Sequence, residues 1–133
     1  MDGLEPLPPL SQAQLEIMNV VWKHGDVTVA DVWKALSGHR KLARNTILTM
    51  LTRLEEKGWL RRDAQGHAHR YRAAVPREAT MGTMIKQLVE TAFGGSPEGL
   101  VMALLQGRGV SKEEAVRIRL MIDQAEERRR RRS

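Results

Sequence analysis

Apolar residues recur along the chain at helical spacing in several segments separated by turn residues. Ser11 with Gln14 three residues later forms a capping-box pattern that opens a first helix, in which Leu15, Met18 and Trp22 follow in phase and Gly25 supplies the stop. Thr28 with Asp31 repeats the pattern, and Val29, Val32, Trp33 and Leu36 define a short one-sided helix ending at Ser37-Gly38. After the loop Gly38-His39-Arg40-Lys41, a third helix is predicted over 43–57, closed by Gly58. Its core stripe is Ile47, Met50, Leu51 and Leu54. At about 100° per residue the opposite face carries Asn45, Thr49, Thr52 and Glu56, flanked by Leu48 and Arg53.

Beyond Gly58 the period changes. Residues 59–63 and 68–73 flank a turn at Ala64-Gln65-Gly66-His67, and the second run alternates, which predicts a strand. His69, Tyr71 and Ala73 would share the inward face, leaving Ala68, Arg70 and Arg72 outside. From 76 onward the pattern returns to helices without strands. Met81, Met84, Ile85, Leu88 and Ala92 form a stripe running to Phe93, and Gly94-Gly95 ends it. Ser96-Pro97 caps a segment, Leu100 to Leu105, that is apolar nearly all round and is expected to be buried. Ser111 with Glu114 starts the last helix, with Ala115, Ile118, Ile122 and Ala125 in phase and Leu120 and Met121 beside them.

The expected class is mainly α (α+β): a winged helix-turn-helix domain over 1–75, a C-terminal helical dimerisation region over 76–127 and a basic disordered tail over 128–133. Three short helices followed by a hairpin is the winged helix-turn-helix order, with the third helix entering the major groove. The last three helices carry more apolar surface than one small domain can cover, so the surplus is expected to meet a second copy. Met84, Ile85, Leu88, Leu100, Val101, Leu104, Leu105, Ile118, Met121 and Ile122 are the expected dimerisation residues.

Charge sharpens this picture. The 133 residues carry a formal net charge of +6, and residues 40–72 hold nine basic and three acidic side chains. A solvated face is the bland reading of such a window, but it coincides with the third helix and the wing. Asn45, Thr49 and Thr52 are candidates to read base edges, because Asn can pair with adenine and Thr can reach a base or a phosphate. Leu48 would offer an apolar contact. Arg44, Arg53, Arg70 and Arg72 are candidate phosphate clamps, with Lys41, Arg61 and Arg62 more ambiguous. The five arginines at 128–132 read as a solvated tail that adds nonspecific phosphate affinity.

Composition removes other classes. The absence of cysteine excludes disulfides, thiolate metal sites and cysteine nucleophiles. Four histidines lack a ligand-like spacing; His67 and His69 stand two apart without a third ligand, so no metal and no cofactor is expected. No nucleophile with its base and no carboxylate pair is visible, which argues against an enzyme. The longest apolar stretch falls far short of the roughly 20 residues of a membrane span. An acidic, proline-broken start unlike a signal peptide leads to the expectation of a cytoplasmic protein without membrane insertion. The three tryptophans read as packing anchors.

Between Leu10 and Ile122 the chain resembles the BlaI/MecI family of winged-helix repressors, with CopY-type copper repressors as a relative. The resemblance rests on Leu10-Ser11-Gln12-Ala13-Gln14-Leu15-Glu16-Ile17-Met18 followed by Val21-Trp22. It continues in Asn45-Thr46-Ile47-Leu48-Thr49-Met50-Leu51-Thr52-Arg53-Leu54 leading to Lys57-Gly58, and in a wing ending Tyr71-Arg72. Gly95-Ser96, Leu100-Val101 and Val110-Ser111-Lys112-Glu113-Glu114 complete it. It implies a homodimeric repressor on a palindromic operator of double-stranded DNA, released when a membrane sensor peptidase triggers cleavage in the C-terminal region.

Three departures stand out. Leu42-Ala43 replaces the family's frequent Trp-Ser before the recognition helix, and Leu48 replaces a common lysine. Ala103-Leu104 aligns with the Asn-Phe pair of the cleavage position in β-lactam-responsive members. The copper branch uses C-terminal cysteines, so that chemistry is excluded here. Two other readings remain: a dimeric winged-helix protein-interaction adaptor, and a nonspecific nucleic-acid binder driven by the arginine tail.

Overall fold

A computed structural model describes residues 7–38, 40–65 and 68–132. The acidic start, His39 of the predicted loop, and Gly66 and His67 of the predicted turn lie outside the described residues. The element order is α1 (Gln12–His24), α2 (Val29–Leu36), α3 (Arg44–Glu56), β1 (Leu60–Gln65), β2 (Ala68–Ala73), α4 (Arg77–Ala92), α5 (Pro97–Gln106) and α6 (Lys112–Arg132). The chain divides into two compact units, Met1–Gly82 and Thr83–Ser133. The division falls inside α4, a few residues past the boundary expected at 75/76.

In the first unit, both predicted capping boxes form. Ser11 Oγ accepts from the Gln14 N–H at 3.1 Å, and Thr28 Oγ1 accepts from the Asp31 N–H at 3.1 Å. The reciprocal bonds, from the Ser11 and Thr28 N–H groups to the Gln14 and Asp31 side chains, are 2.9 and 3.0 Å. Each box satisfies two first-turn donors that the helix itself leaves unpaired.

The core joins Ile17, Met18 and Val21 of α1, Val32 and Leu36 of α2, and Ile47, Leu51 and Leu54 of α3 with Val27, Trp59, Leu60 and Tyr71. The buried stripe of α1 is therefore rotated from the predicted one. Leu15 and Trp22 are only half-buried, because α1 packs against α2, α3 and β2 together and its most enclosed line runs between them. Trp22 and Trp59 act as anchors through both ring and N–H. Their Nε1 atoms donate to the carbonyls of Val75 and Pro8, each at 3.0 Å.

The two strands pair antiparallel with Leu60 opposite Ala73, Arg62 opposite Tyr71 and Asp63 opposite Arg70. Val27 adds a third, one-residue rung on the other side of β2. Its N–H donates to the Tyr71 carbonyl at 2.9 Å and its carbonyl accepts from the Tyr71 N–H at 2.8 Å. The base of the wing is thus stitched to the residue that precedes the Thr28 cap of α2. At the end of α3, Gly58 takes φ +93°, and a Cβ there would meet Leu7 Cδ2 at 3.0 Å. Both the backbone sign and the close approach call for glycine.

The second unit contains the rest of α4, α5 and α6. Ser96 caps α5 by accepting from the Gly99 N–H at 2.9 Å, with Pro97 at the first helical position. Ser111 and Glu114 close a capping box on α6 at 3.0 and 2.8 Å. The expected burial of residues 100–105 does not occur within the chain: Leu100 is half-buried and residues 101–105 are exposed. One short helix has too few neighbours in this unit to cover apolar side chains on every side.

The expected disordered tail is also corrected. Residues 128–132 continue α6 as regular helix. Glu126 and Glu127 stand one turn before Arg130 and Arg131, at 3.6 and 3.7 Å, and arginines in a last turn complement the helix dipole.

Candidate nucleic-acid interface

The third helix presents its outward face as the pattern predicts. Ile47, Leu51 and Leu54 are buried, whereas Asn45, Leu48, Thr49 and Arg53 are exposed. Leu48 is 41% exposed, a large apolar side chain left in solvent on an otherwise polar face. Thr52 is half-buried rather than fully outward, because its position turns toward the side on which the helix packs. The Thr49 hydroxyl donates to the Asn45 carbonyl at 3.0 Å. With that proton engaged in its own helix, Thr49 offers its methyl group and an acceptor lone pair outward.

The N-terminus of α3 has a distinct arrangement. Ala43 occupies the cap position and gives no side-chain hydrogen bond, so the first-turn N–H groups receive no hydroxyl cap. The guanidinium of Arg44 lies over the ring of Trp33, 4.6 Å from its centroid. A cation over the face of an indole is held electrostatically, and the stacked plane still leaves its N–H edge available.

On the wing, Arg70 and Arg72 are exposed and Tyr71 between them is buried. Strand pairing sets Arg61 opposite Arg72 and Asp63 opposite Arg70, so this outer face holds three arginines and one aspartate. Arg62 alternates to the other face and reaches Glu55 of α3 at 3.8 Å. The predicted inward position of His69 is not realised. It is exposed, paired with Ala64 four residues along β1 from the buried Leu60.

Two contacts carry no sequence signal. Arg40, one of the nine basic residues of the charged window, is engaged by Glu16 of α1: Nε donates to Oε1 at 2.7 Å and a terminal nitrogen to Oε2 at 3.1 Å. This two-pronged bond holds the guanidinium above its usual pKa and spends its charge on joining α1 to the loop before α3. Trp33 and Arg44, eleven residues apart, are likewise brought together only by the packing of α2 on α3.

Asp31 is held below the usual carboxylate range, first by the Thr28 backbone N–H, with Arg70 among the lesser contributors. Of the ten residues expected at a dimer interface, eight are exposed in the second unit, and Met84 and Leu100 are half-buried. Met102, Val116 and Leu120, which are not among those ten, are also exposed. Ala103 and Leu104 are exposed inside regular helix.

Comparison with known proteins agrees with this architecture. The family model described as penicillinase repressor matches residues 10–124. The chain is 29% identical over 111 residues to the penicillinase repressor of Bacillus licheniformis, covering 84% of this chain and 87% of that one. It is similar to the solution structure of the DNA binding domain of the repressor BlaI, with 35% identity and a TM-score of 0.50 over 56% of this chain and 90% of that one. Wild-type MarR from E. coli shares the fold, with a TM-score of 0.52 at 18% identity over 87% of this chain and 77% of that one. The chain belongs to the penicillinase repressor family, a family of winged-helix transcriptional repressors and not of enzymes.

Proposed function

We propose that this repressor works as a homodimer that binds a palindromic operator in double-stranded DNA and occludes it. The observation that carries the reading is the outward face of α3. It is polar and exposed at Asn45 and Thr49, bounded by the cations Arg44 and Arg53, and punctuated by one apolar residue, Leu48. Asn45 and Thr49 read base edges, Leu48 meets a thymine methyl, and Thr52, half-buried, contributes less. Arg44, Arg53, Arg70 and Arg72 hold phosphates and set the register.

The exposed apolar side chains of α4, α5 and α6 support the dimer, since monomers rarely leave so many in water. A two-fold protein reads a palindrome, with half-sites spaced by whole helical turns of about 34 Å. The protein acts in the cytoplasm; among the described residues no helix is long and apolar enough to cross a membrane. Release by a membrane sensor peptidase at Ala103-Leu104 requires α5 to open locally, because both residues lie within the helix.

Selection of bound sequences from a random duplex library tests the reading. A palindromic motif with two half-sites is the expected result. No enriched motif overturns it and favours the adaptor, although an adaptor would be expected to carry an apolar, aromatic-rich patch on the outward face of α3.

A further inference from the structure

We propose that the basic end of α6 is a sequence-independent contact for the phosphate backbone of the duplex DNA that α3 reads; this rests on the DNA-binding reading above. Residues 128–132 are an ordered part of α6, and all five arginines are exposed. At about 100° per residue they surround the helix rather than line one face. Arg128 and Arg132 stand one turn apart with like charge, an arrangement that opposes helix formation in isolation. Neither has an acidic partner among the described residues.

Packing does not account for these last turns. After Met121 and Ile122 the only apolar side chain is Ala125. The segment therefore adds nothing to an apolar interface, and it lies beyond residue 124, where the family match ends. The ion pairs of Arg130 and Arg131 with Glu126 and Glu127 are mostly exposed, at 3.6 and 3.7 Å, and such pairs contribute little. They yield to a phosphate, whose oxygens fit the guanidinium fork with stronger charge-assisted bonds.

Among polyanions, duplex DNA fits best. A membrane-surface helix needs apolar residues interleaved on one side to enter the lipid boundary, and 123–132 has no large apolar side chain. A single-stranded nucleic acid is held by aromatic platforms, and no Phe, Trp or Tyr follows Phe93. A duplex backbone asks only for positive charge, and the first unit already exposes Arg44, Arg53, Arg70 and Arg72.

The test uses the full chain, a variant carrying Arg128→Gln, Arg129→Gln, Arg130→Gln, Arg131→Gln and Arg132→Gln, and a second with lysine at the same five positions. Glutamine and lysine both favour helix, which circular dichroism verifies. Binding to a labelled duplex containing the selected motif, and to a scrambled duplex of equal length, is titrated over a range of salt. Each phosphate no longer neutralised lowers the slope of log K against log salt by about 0.9, so the glutamine variant is expected to be shallower by about two to four units. Its Kd at about 0.1 M salt rises at least roughly tenfold, equally on both duplexes, while the lysine variant stays within about threefold of the parent.

Unchanged slope and Kd, or weakening confined to the selected motif, overturns the proposal. So does unchanged duplex binding accompanied by abolished binding to vesicles of anionic lipid or to single-stranded RNA. Failure of the underlying reading is seen separately, as a parent chain that enriches no motif, whatever the glutamine variant does on scrambled DNA.

Discussion

The guanidinium of Arg44 stacks on Trp33, 4.6 Å from the ring centroid, so a residue of α2 holds the first residue of α3. A stacked arginine enters a complex with less rotamer freedom to lose. Trp33→Leu is expected to weaken DNA binding by about 0.5–1 kcal/mol, while Trp33→Phe keeps most of the affinity. In a double-mutant cycle with Arg44→Ala the two effects should fall short of additive. Full additivity would show that the stack plays no part in binding.

Thr49 and Arg70 are expected to divide the labour of the proposed interface. The Thr49 hydroxyl is tied to the Asn45 carbonyl, so its outward methyl is the feature a base would meet. Thr49→Val keeps that methyl and should keep the selected motif, whereas Thr49→Ala should relax preference at one position of each half-site. Arg70→Ala should weaken every sequence alike and make the salt slope shallower by about one unit. Repeating the library selection and salt titrations on the three variants decides the matter; a valine variant that behaves like alanine assigns the preference to the hydroxyl.

Arg40 sits in the basic window but is tied to Glu16. Arg40→Ala is therefore expected to lower Tm while changing the salt slope of DNA binding by well under one unit, less than one phosphate contact would. Exchanging the two residues, Glu16→Arg with Arg40→Glu, should recover part of the Tm decrease. A slope change as large as that of Arg70→Ala would make Arg40 a DNA contact instead.

Acid should loosen the helix starts. Asp31 is lowered first by the Thr28 backbone N–H, and Glu114 first by the Ser111 backbone N–H. For carboxylates lowered in the folded state, the stabilisation is complete above their ordinary unfolded pKa and fades as pH falls through the lowered folded value. Asp31 is exposed and Glu114 half-buried near the surface, so each effect is small. Asp31→Asn still accepts the Thr28 bond but cannot titrate, and its acid unfolding curve, followed by circular dichroism, should begin at lower stability and fall less steeply than the parent's. Superimposable curves would leave the Asp31 charge without a role.

The parts of the fold that follow local rules were legible in the chain. Capping boxes, the glycine stop at Gly58 and the buried Ile47, Leu51 and Leu54 depend on residues three or four apart, and spacing reports them directly. Contacts that depend on how helices cross did not show. The rotated stripe of α1, the Arg40–Glu16 pair and the Trp33–Arg44 stack each need the neighbouring helix in place. His69 misled because strand alternation sets a side but not whether a core lies beneath it. Residues 128–132 misled because a charge run suggests disorder, while arginine is itself a good helix former and the run continues α6 without a break.

The two bonds between Val27 and Tyr71 fix the base of the wing to the segment that leads into α2, while His69, toward the far end of the hairpin, is exposed. Substitutions and length changes at that far end can accumulate without disturbing α3, whereas the base tolerates few. New operator footprints should therefore arise in evolution, and be easiest to engineer, by remodelling the outer hairpin while the Val27–Tyr71 rung stays as it is.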